Sequence, residues 1–209
     1  MTIQVHHLNN SRSQRVLWLL EELGLPYEVV HYQRDARTML APPELKRVHP
    51  LGKSPVITDD GEVVAETGAI IDHIVTQHGG GRLAPPRDTP AGRRYTYWLH
   101  YAEGSAMPPL LLKLVLGKLG ILGWPARKFV DAQVKLHLDY LEGELARHEW
   151  FVGDAFSAAD VMMSFPLEAA AQRGGLDASR PKLFAFLQRI HARPAYQRAL
   201  EKGGPYDFA

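Results

Sequence analysis

Strand-like patterns are confined to the first 78 residues of this chain, and from there to residue 209 no convincing strand pattern returns. The run TIQVHHL carries Ile3, Val5 and Leu8. In SRSQRVLWLLEELG that follows, Val16, Leu17, Leu19, Leu20 and Leu23 recur at helical spacing, and Gly24 supplies a stop. YEVVHYQ is rich in β-branched and aromatic residues. These three segments make a β-α-β unit, whose crossover sets its two strands parallel. SPVITDDGEVVAE reads as a hairpin turning at Asp60-Gly61, and TGAIIDHIVTQH as a second helix. The glycines and prolines of GGGRLAPPRDTP, Gly79 to Pro90, then interrupt the chain. Helices are expected at 91–119, 125–148, 158–173, 181–192 and 195–201. The expected organisation is an α/β domain at 1–80, a linker at 81–90 and an all-helical domain at 91–209.

Charge and composition narrow the function classes. Lys plus Arg less Asp plus Glu is 24 − 23 = +1, so no basic excess points to nucleic acid. The chain has no cysteine, which removes disulfides, zinc–thiolate sites, iron–sulfur clusters and a protein thiol nucleophile. The start MTIQVHHLNN lacks the pattern of a signal peptide. The most apolar run, Met107 to Trp124, is interrupted by Lys113, Lys118 and three glycines and does not suit a spanning helix. A cytoplasmic protein without a transmembrane segment is expected. No two of the ten histidines form a close ligand pair with a carboxylate at helical spacing, and His-Glu-x-x-His is absent. No metal is expected.

The stretch HPLGKSPVITDDG contains Gly52-Lys53-Ser54, the letters that close a phosphate-binding loop. Such a loop needs glycine five residues before the Gly-Lys pair and a helix after it, but position 47 is Arg and a strand pattern follows. Proline at a strand start cannot donate to a ladder. A trans Pro55 opening an edge strand is the default, since about one X-Pro bond in twenty is cis. A cis bond would turn the chain so that Val56 could pair with an extended peptide-like ligand at a sheet edge, with Lys53 offering a cation to its carboxylate.

In AETGAII, Thr67 fits a helix N-cap, and Glu66 is either solvated or an anionic partner for an ammonium group. Side by side, these groups would suit an amino-acid moiety. Ser11 and Gln14 have the capping-box spacing. Ser11 is either that cap alone or a hydroxyl placed to stabilise a thiolate near a helix start. The thiol would have to come from a ligand. Ser157 and Asp160 repeat the capping-box pattern, with Phe156 and Val161 as a hydrophobic staple.

As a set, SRSQRVLWLLEELGLPYEVV, HPLGKSPVI, AETGAIIDHI and GDAFSAADVMM resemble the cytosolic glutathione S-transferase family, in its order and spacing and over nearly the whole chain. PPELKRVHPLGKSP resembles a fungal and bacterial branch. The resemblance implies a thioredoxin-like α/β domain with cis-Pro55 and an all-α C-terminal domain. It implies glutathione as co-substrate, with Val56 pairing its cysteinyl backbone, Lys53 meeting its glycyl carboxylate and Glu66 and Thr67 holding its γ-glutamyl end. Ser11 falls where serine-type members place the thiolate-stabilising hydroxyl, with Ser13 and Asn10 as alternatives. The implied chemistry is conjugation of glutathione to hydrophobic electrophiles, reduction of organic hydroperoxides, or both, as in detoxification. A non-catalytic glutathione-fold binding or carrier protein is the alternative. The second substrate's site is expected between the domains, drawing on Tyr97, Tyr101, Met107 and Trp124, in a homodimer.

Overall fold

The computed structural model describes residues 2–209. The chain divides into two compact units, one running to Leu83 and regaining residues 191–207 and 209, the other formed by 84–190 with Phe208.

The first unit is built on four strands: β1 (Ile3–Leu8), β2 (Tyr27–Tyr32), β3 (Val56–Asp59) and β4 (Glu62–Ala65). Their order across the sheet is β2-β1-β3-β4. β1 and β2 run parallel from Ile3↔Tyr27 to Leu8↔Tyr32, as the crossover through α1 (Ser13–Leu23) requires. β3 is antiparallel to β1, with Val5 opposite Ile57, and the β3–β4 hairpin turns at Asp60-Gly61. A single turn, α2 (Leu45–Val48), precedes β3. The helix α3 (Thr67–His73) follows β4 and continues as a π-helical turn, Ile74–His78. This is the expected thioredoxin-like mixed sheet with its helices.

β1 shows how alternation assigns neighbours. His6 hydrogen-bonds Tyr32 Oη and Thr58 Oγ1 through its two ring nitrogens at 3.1 and 3.0 Å. His7 bonds Ser13 of α1 instead. α1 is buried on more than the five-residue face its periodicity shows, and Trp18 is fully buried as well. The cover is α9 (Pro194–Gly203), which buries Ala195, Tyr196, Ala199 and Gly203. Trp18 meets Tyr196 edge-to-face at 5.1 Å, and Arg193 bonds both carboxylate oxygens of Glu22 at 2.5 and 2.9 Å. A Cβ at Gly203 would lie 2.6 Å from Gln14 Oε1, so the close approach of α9 to α1 needs glycine there. The reading that placed all of 91–209 in the helical domain therefore differs from the structure, in which this last helix clusters with the sheet.

The second unit contains α4 (Pro90–Tyr101), α5 (Met107–Lys118), α6 (Trp124–Arg147), α7 (Ala158–Ala169) and α8 (Pro181–His191). The run read as one helix over 91–119 is broken by a π turn at Ala102–Ala106. Pro108 and Pro109 come just after it and lack the N–H groups that an uninterrupted helix would need. Every residue of α7 is buried. Asp160 caps that helix, accepting from Phe151 N at 2.9 Å, Ser157 N at 2.8 Å and Ser157 Oγ at 3.0 Å. Trp98, Phe151 and Phe186 pack at tilted and edge-on angles in the core of this unit, with centroids 4.7 and 5.1 Å apart. Among the described residues, no helix is long and apolar enough to cross a membrane.

Candidate active site

The sheet end where β1 finishes and β3 begins gathers most of the residues singled out in the first unit. The Ser54–Pro55 bond is cis, and Ser54 Oγ donates to the His6 carbonyl at 3.0 Å, tying this bend to β1. Arg15 Nη2 of α1 donates to Thr67 Oγ1 at 3.3 Å, tying the starts of α1 and α3 together. Ser11, Lys53, Pro55, Val56, Glu66 and Thr67 thus belong to segments joined at one end of the sheet.

Their surroundings differ. Lys53 is exposed and has no hydrogen-bond or ionic partner among the described residues. Glu66 is likewise exposed and without a side-chain partner among the described residues. Its backbone has φ 71° and ψ 123°, immediately before α3. Positive φ in a residue with a Cβ costs about 1–3 kcal/mol and is concentrated at functional sites. Thr67 is the first residue of the helix rather than its cap, and its hydroxyl is taken by Arg15.

Val56, expected to pair with an extended ligand, opens a strand inside the sheet. β3 lies between β1 and β4, Val56 pairs with Ala65, and its side chain is fully buried. The open backbone belongs to the residue before the proline. Ser54 N–H and C=O make no hydrogen bond among the described residues. Proline marked the bend correctly, but nothing in the sequence told which of its neighbours keeps free main-chain groups.

Ser11 also departs from its expected capping box. α1 starts at Ser13, two residues later, and Gln14 does not reach back to Ser11. Its carboxamide oxygen and nitrogen are buried without partners. Ser11 Oγ instead accepts from Ser13 N–H at 3.2 Å and lies 2.7 Å from Ser13 Oγ. Ser13 Oγ is 2.9 Å from His7 Nδ1. Burial, with His31 nearby, pushes the His7 pKa down to about 4, while a bond to the Gly203 backbone opposes the shift. His7 is therefore neutral at pH 7, and its tautomer decides whether Nδ1 accepts from or donates to the Ser13 hydroxyl. Either serine can supply the hydrogen between the two oxygens, and Ser13 Oγ also reaches the Leu8 carbonyl at 3.4 Å. Of the alternatives, Ser13 is fully buried. Asn10 is committed to Asp207, donating at 2.7 Å and accepting from its N–H at 2.9 Å.

The four residues expected to line an apolar pocket lie in the second unit and do not converge. Tyr97 stacks on Tyr101 with centroids 5.5 Å apart, and Tyr101 Oη bonds His137 Nδ1 at 2.6 Å. Met107 is buried, whereas Trp124 is 74% exposed at the start of α6. An open cavity of about 320 Å³ is lined by other residues, among them Ser105, Pro108, Leu112, Phe129 and His137. Residue type alone did not separate the buried Tyr101 and Met107 from the exposed Tyr97 and Trp124, because a tyrosine in a core and one at a surface look alike in sequence.

Residues 2–76 match the family model described as glutathione S-transferase, N-terminal domain, and 125–194 that of its C-terminal domain. Glutathione S-transferase 1 of Saccharomyces cerevisiae is 35% identical over 222 aligned positions, spanning 96% of this chain and 94% of the yeast protein. Glutathione S-transferase 3 of Schizosaccharomyces pombe is 36% identical over 96% of this chain and 87% of its own length. The crystal structure of a glutathione S-transferase from Actinobacillus pleuropneumoniae superimposes with a TM-score of 0.89 at 38% identity, covering 99% of this chain and 95% of that one. A sphingomonad glutathione S-transferase complexed with glutathione matches with a TM-score of 0.77 at 28% identity, over 98% of this chain and 99% of its own. With relatives this similar over nearly its full length, the chain belongs to the glutathione S-transferase family.

Proposed function

We propose that this chain binds glutathione where β1 ends and β3 begins, and activates its thiol for attack on hydrophobic electrophiles or organic hydroperoxides. The observation that carries the reading is the set of uncommitted groups there: the Lys53 ammonium, the Ser54 backbone and the Glu66 carboxylate. They complement the glycyl carboxylate, the cysteinyl backbone and the γ-glutamyl ammonium of the tripeptide. The glutathione complex of the sphingomonad relative supports the same ligand. Pro55 shapes the bend that presents Ser54, Val56 anchors it in the sheet, and Thr67 fixes the start of α3 through Arg15. A dimer of two such chains is the working assembly, and the exposed Leu111, Leu112, Val115 and Leu136 supply apolar surface for a partner.

Ser11 stabilises the thiolate by turning its hydroxyl from Ser13 toward the sulfur. A hydrogen bond to a charged acceptor contributes about 1.5–3 kcal/mol, enough to lower a thiol pKa from about 8.5 by one to two units. The thiolate then attacks the electrophilic carbon, or the peroxide oxygen with release of an alcohol. The tie of Ser11 Oγ to Ser13 also favours a second reading, a protein that holds glutathione without activating it. Calorimetry with glutathione, with turnover of 1-chloro-2,4-dinitrobenzene and cumene hydroperoxide, separates the two. The expected result is binding with turnover, and a loss of about 10- to 100-fold in kcat/KM for Ser11→Ala. Binding without turnover of either substrate would support the carrier reading.

A further inference from the structure

A second cluster of chemically competent side chains sits at the opposite end of β3. Asp59 is the last residue of that strand and pairs with Ile3 at the start of β1. It is three residues, or about 10 Å, along the strand from Val56. His73 ends α3 and His78 ends the π turn. His73 Nε2 is 2.7 Å and His78 Nε2 2.6 Å from the same carboxylate oxygen, Asp59 Oδ2.

The backbone brings these groups together in a way that the spacing conceals. On an α-helix, residues five apart point about 140° away from each other. The wider winding of the Ile74–His78 turn restores His78 to the side of His73, and the two rings meet edge-to-face at 5.7 Å. Such π turns are frequent at functional sites. Two hydrogen-bonding imidazoles alone would be expected to use both oxygens of a carboxylate. Here both address Oδ2, while Asp59 Oδ1 and His78 Nδ1 are buried without partners.

We propose that Asp59, His73 and His78 bind one divalent transition-metal ion, with zinc the fitting chemistry. Their ligand atoms all lie within 4.8 Å of one another, and rotations of the two imidazoles would bring them to the separation of about 3.3–3.6 Å that a tetrahedral centre with bonds of about 2.0–2.2 Å requires. Two imidazoles and a carboxylate suit zinc, cobalt or nickel better than calcium or magnesium, which take oxygen ligands. Asp59 Oδ1 gives the carboxylate a second oxygen for the ion. The His73 side chain is 22% exposed, which leaves a solvent side where water completes the coordination. The ion clamps the end of β3 to the end of the α3 segment. Its role is structural, since the glutathione-binding groups lie at the other end of the sheet.

The test is titration of chelator-treated protein with zinc chloride by calorimetry, and with cobalt chloride by visible absorption. Wild type is run beside Asp59→Asn, His73→Gln and His78→Gln, with each thermal midpoint measured before metal is added. One equivalent of zinc should bind, raise the wild-type midpoint and leave glutathione affinity unchanged. Each substitution should weaken binding at least tenfold. His73→Gln, at the most exposed of the three positions, keeps the test valid if Asp59→Asn fails to fold. Absence of one-to-one binding by wild type would overturn the proposal, leaving a hydrogen-bonded latch. Undiminished binding by folded His73→Gln would overturn it too, by placing the ion on other histidines.

Discussion

His7 makes the stability of the first unit dependent on pH, and the size of the effect follows from its burial. Its side chain is 2% exposed, and its pKa falls from the model-peptide value of 6.5 to about 4. Because the folded value is depressed, the unfolded chain binds this proton first as pH falls. Stability is therefore lost progressively from about pH 6.5 down to about pH 4. With about 1.36 kcal/mol per unit, the loss attributable to His7 between pH 7 and pH 5 is about 2 kcal/mol. Burial depresses His6 and His137 in the same sense. Asp160 acts in the opposite sense, because burial raises its pKa to about 6, so its contribution is present in acid and is lost as pH rises through that value. Wild type alone cannot isolate one group, but a comparison with His7→Gln can. Gln retains a donor for the Gly203 backbone and has no titrating proton. In urea unfolding at pH 7 and pH 5, wild type should lose about 2 kcal/mol more than the variant. The imidazole resonance of His7 should titrate near pH 4. Equal losses in both proteins, or a resonance titrating near pH 6.5, would refute the inference that His7 is buried and neutral. Protonation puts a hydrogen on both ring nitrogens of His7 and so leaves no acceptor there for the Ser13 hydroxyl, and formation of the glutathione thiolate beside Ser11 should change over the same acidic range.

Three other outcomes rest on separate contacts. Asp160→Ala should destabilise the second unit by about 2–5 kcal/mol in denaturant titrations, because it leaves Phe151 N–H and Ser157 N–H buried without their acceptor. Trp18→Ala should cost about 3–5 kcal/mol, and Tyr196→Ala should share part of that loss in a double-mutant cycle, since the two rings pack on each other. Lys53→Ala should raise KM for glutathione about fivefold with kcat nearly unchanged, as expected for an exposed ion pair of about 1 kcal/mol, and the difference should shrink at high salt.

Much of the architecture was written in local patterns. Alternation in Ile3–Leu8, helical spacing in Val16–Leu23 and the Asp60-Gly61 turn each specify an element from neighbouring residues alone. Trp18 was opaque for the opposite reason: its burial depends on Tyr196, far away in the chain. At the candidate site the residue types were legible, but their states were not. No pattern in Ser11-Arg12-Ser13-Gln14 announces that the two hydroxyls will bond each other and His7. That Ser54 keeps open backbone groups depends on the bend at Pro55 and on which strands flank β3. The Asp59 cluster escaped notice because its histidines have no α-helical ligand spacing, and a π turn has no simple periodic signature.

The return of α9 to the first unit bears on how the protein is made. A ribosome releases the sheet and α1 early, yet the cover for Trp18 and the backbone partner of His7 sit at residues 196 and 203. Until α9 emerges, the first unit displays a bare indole and an unfinished hydrogen-bond chain beside Ser11. The helices of 84–190 have by then been fully synthesised. The unit that is begun first is thus completed last, and the candidate catalytic serine acquires its final surroundings only once α9 has emerged.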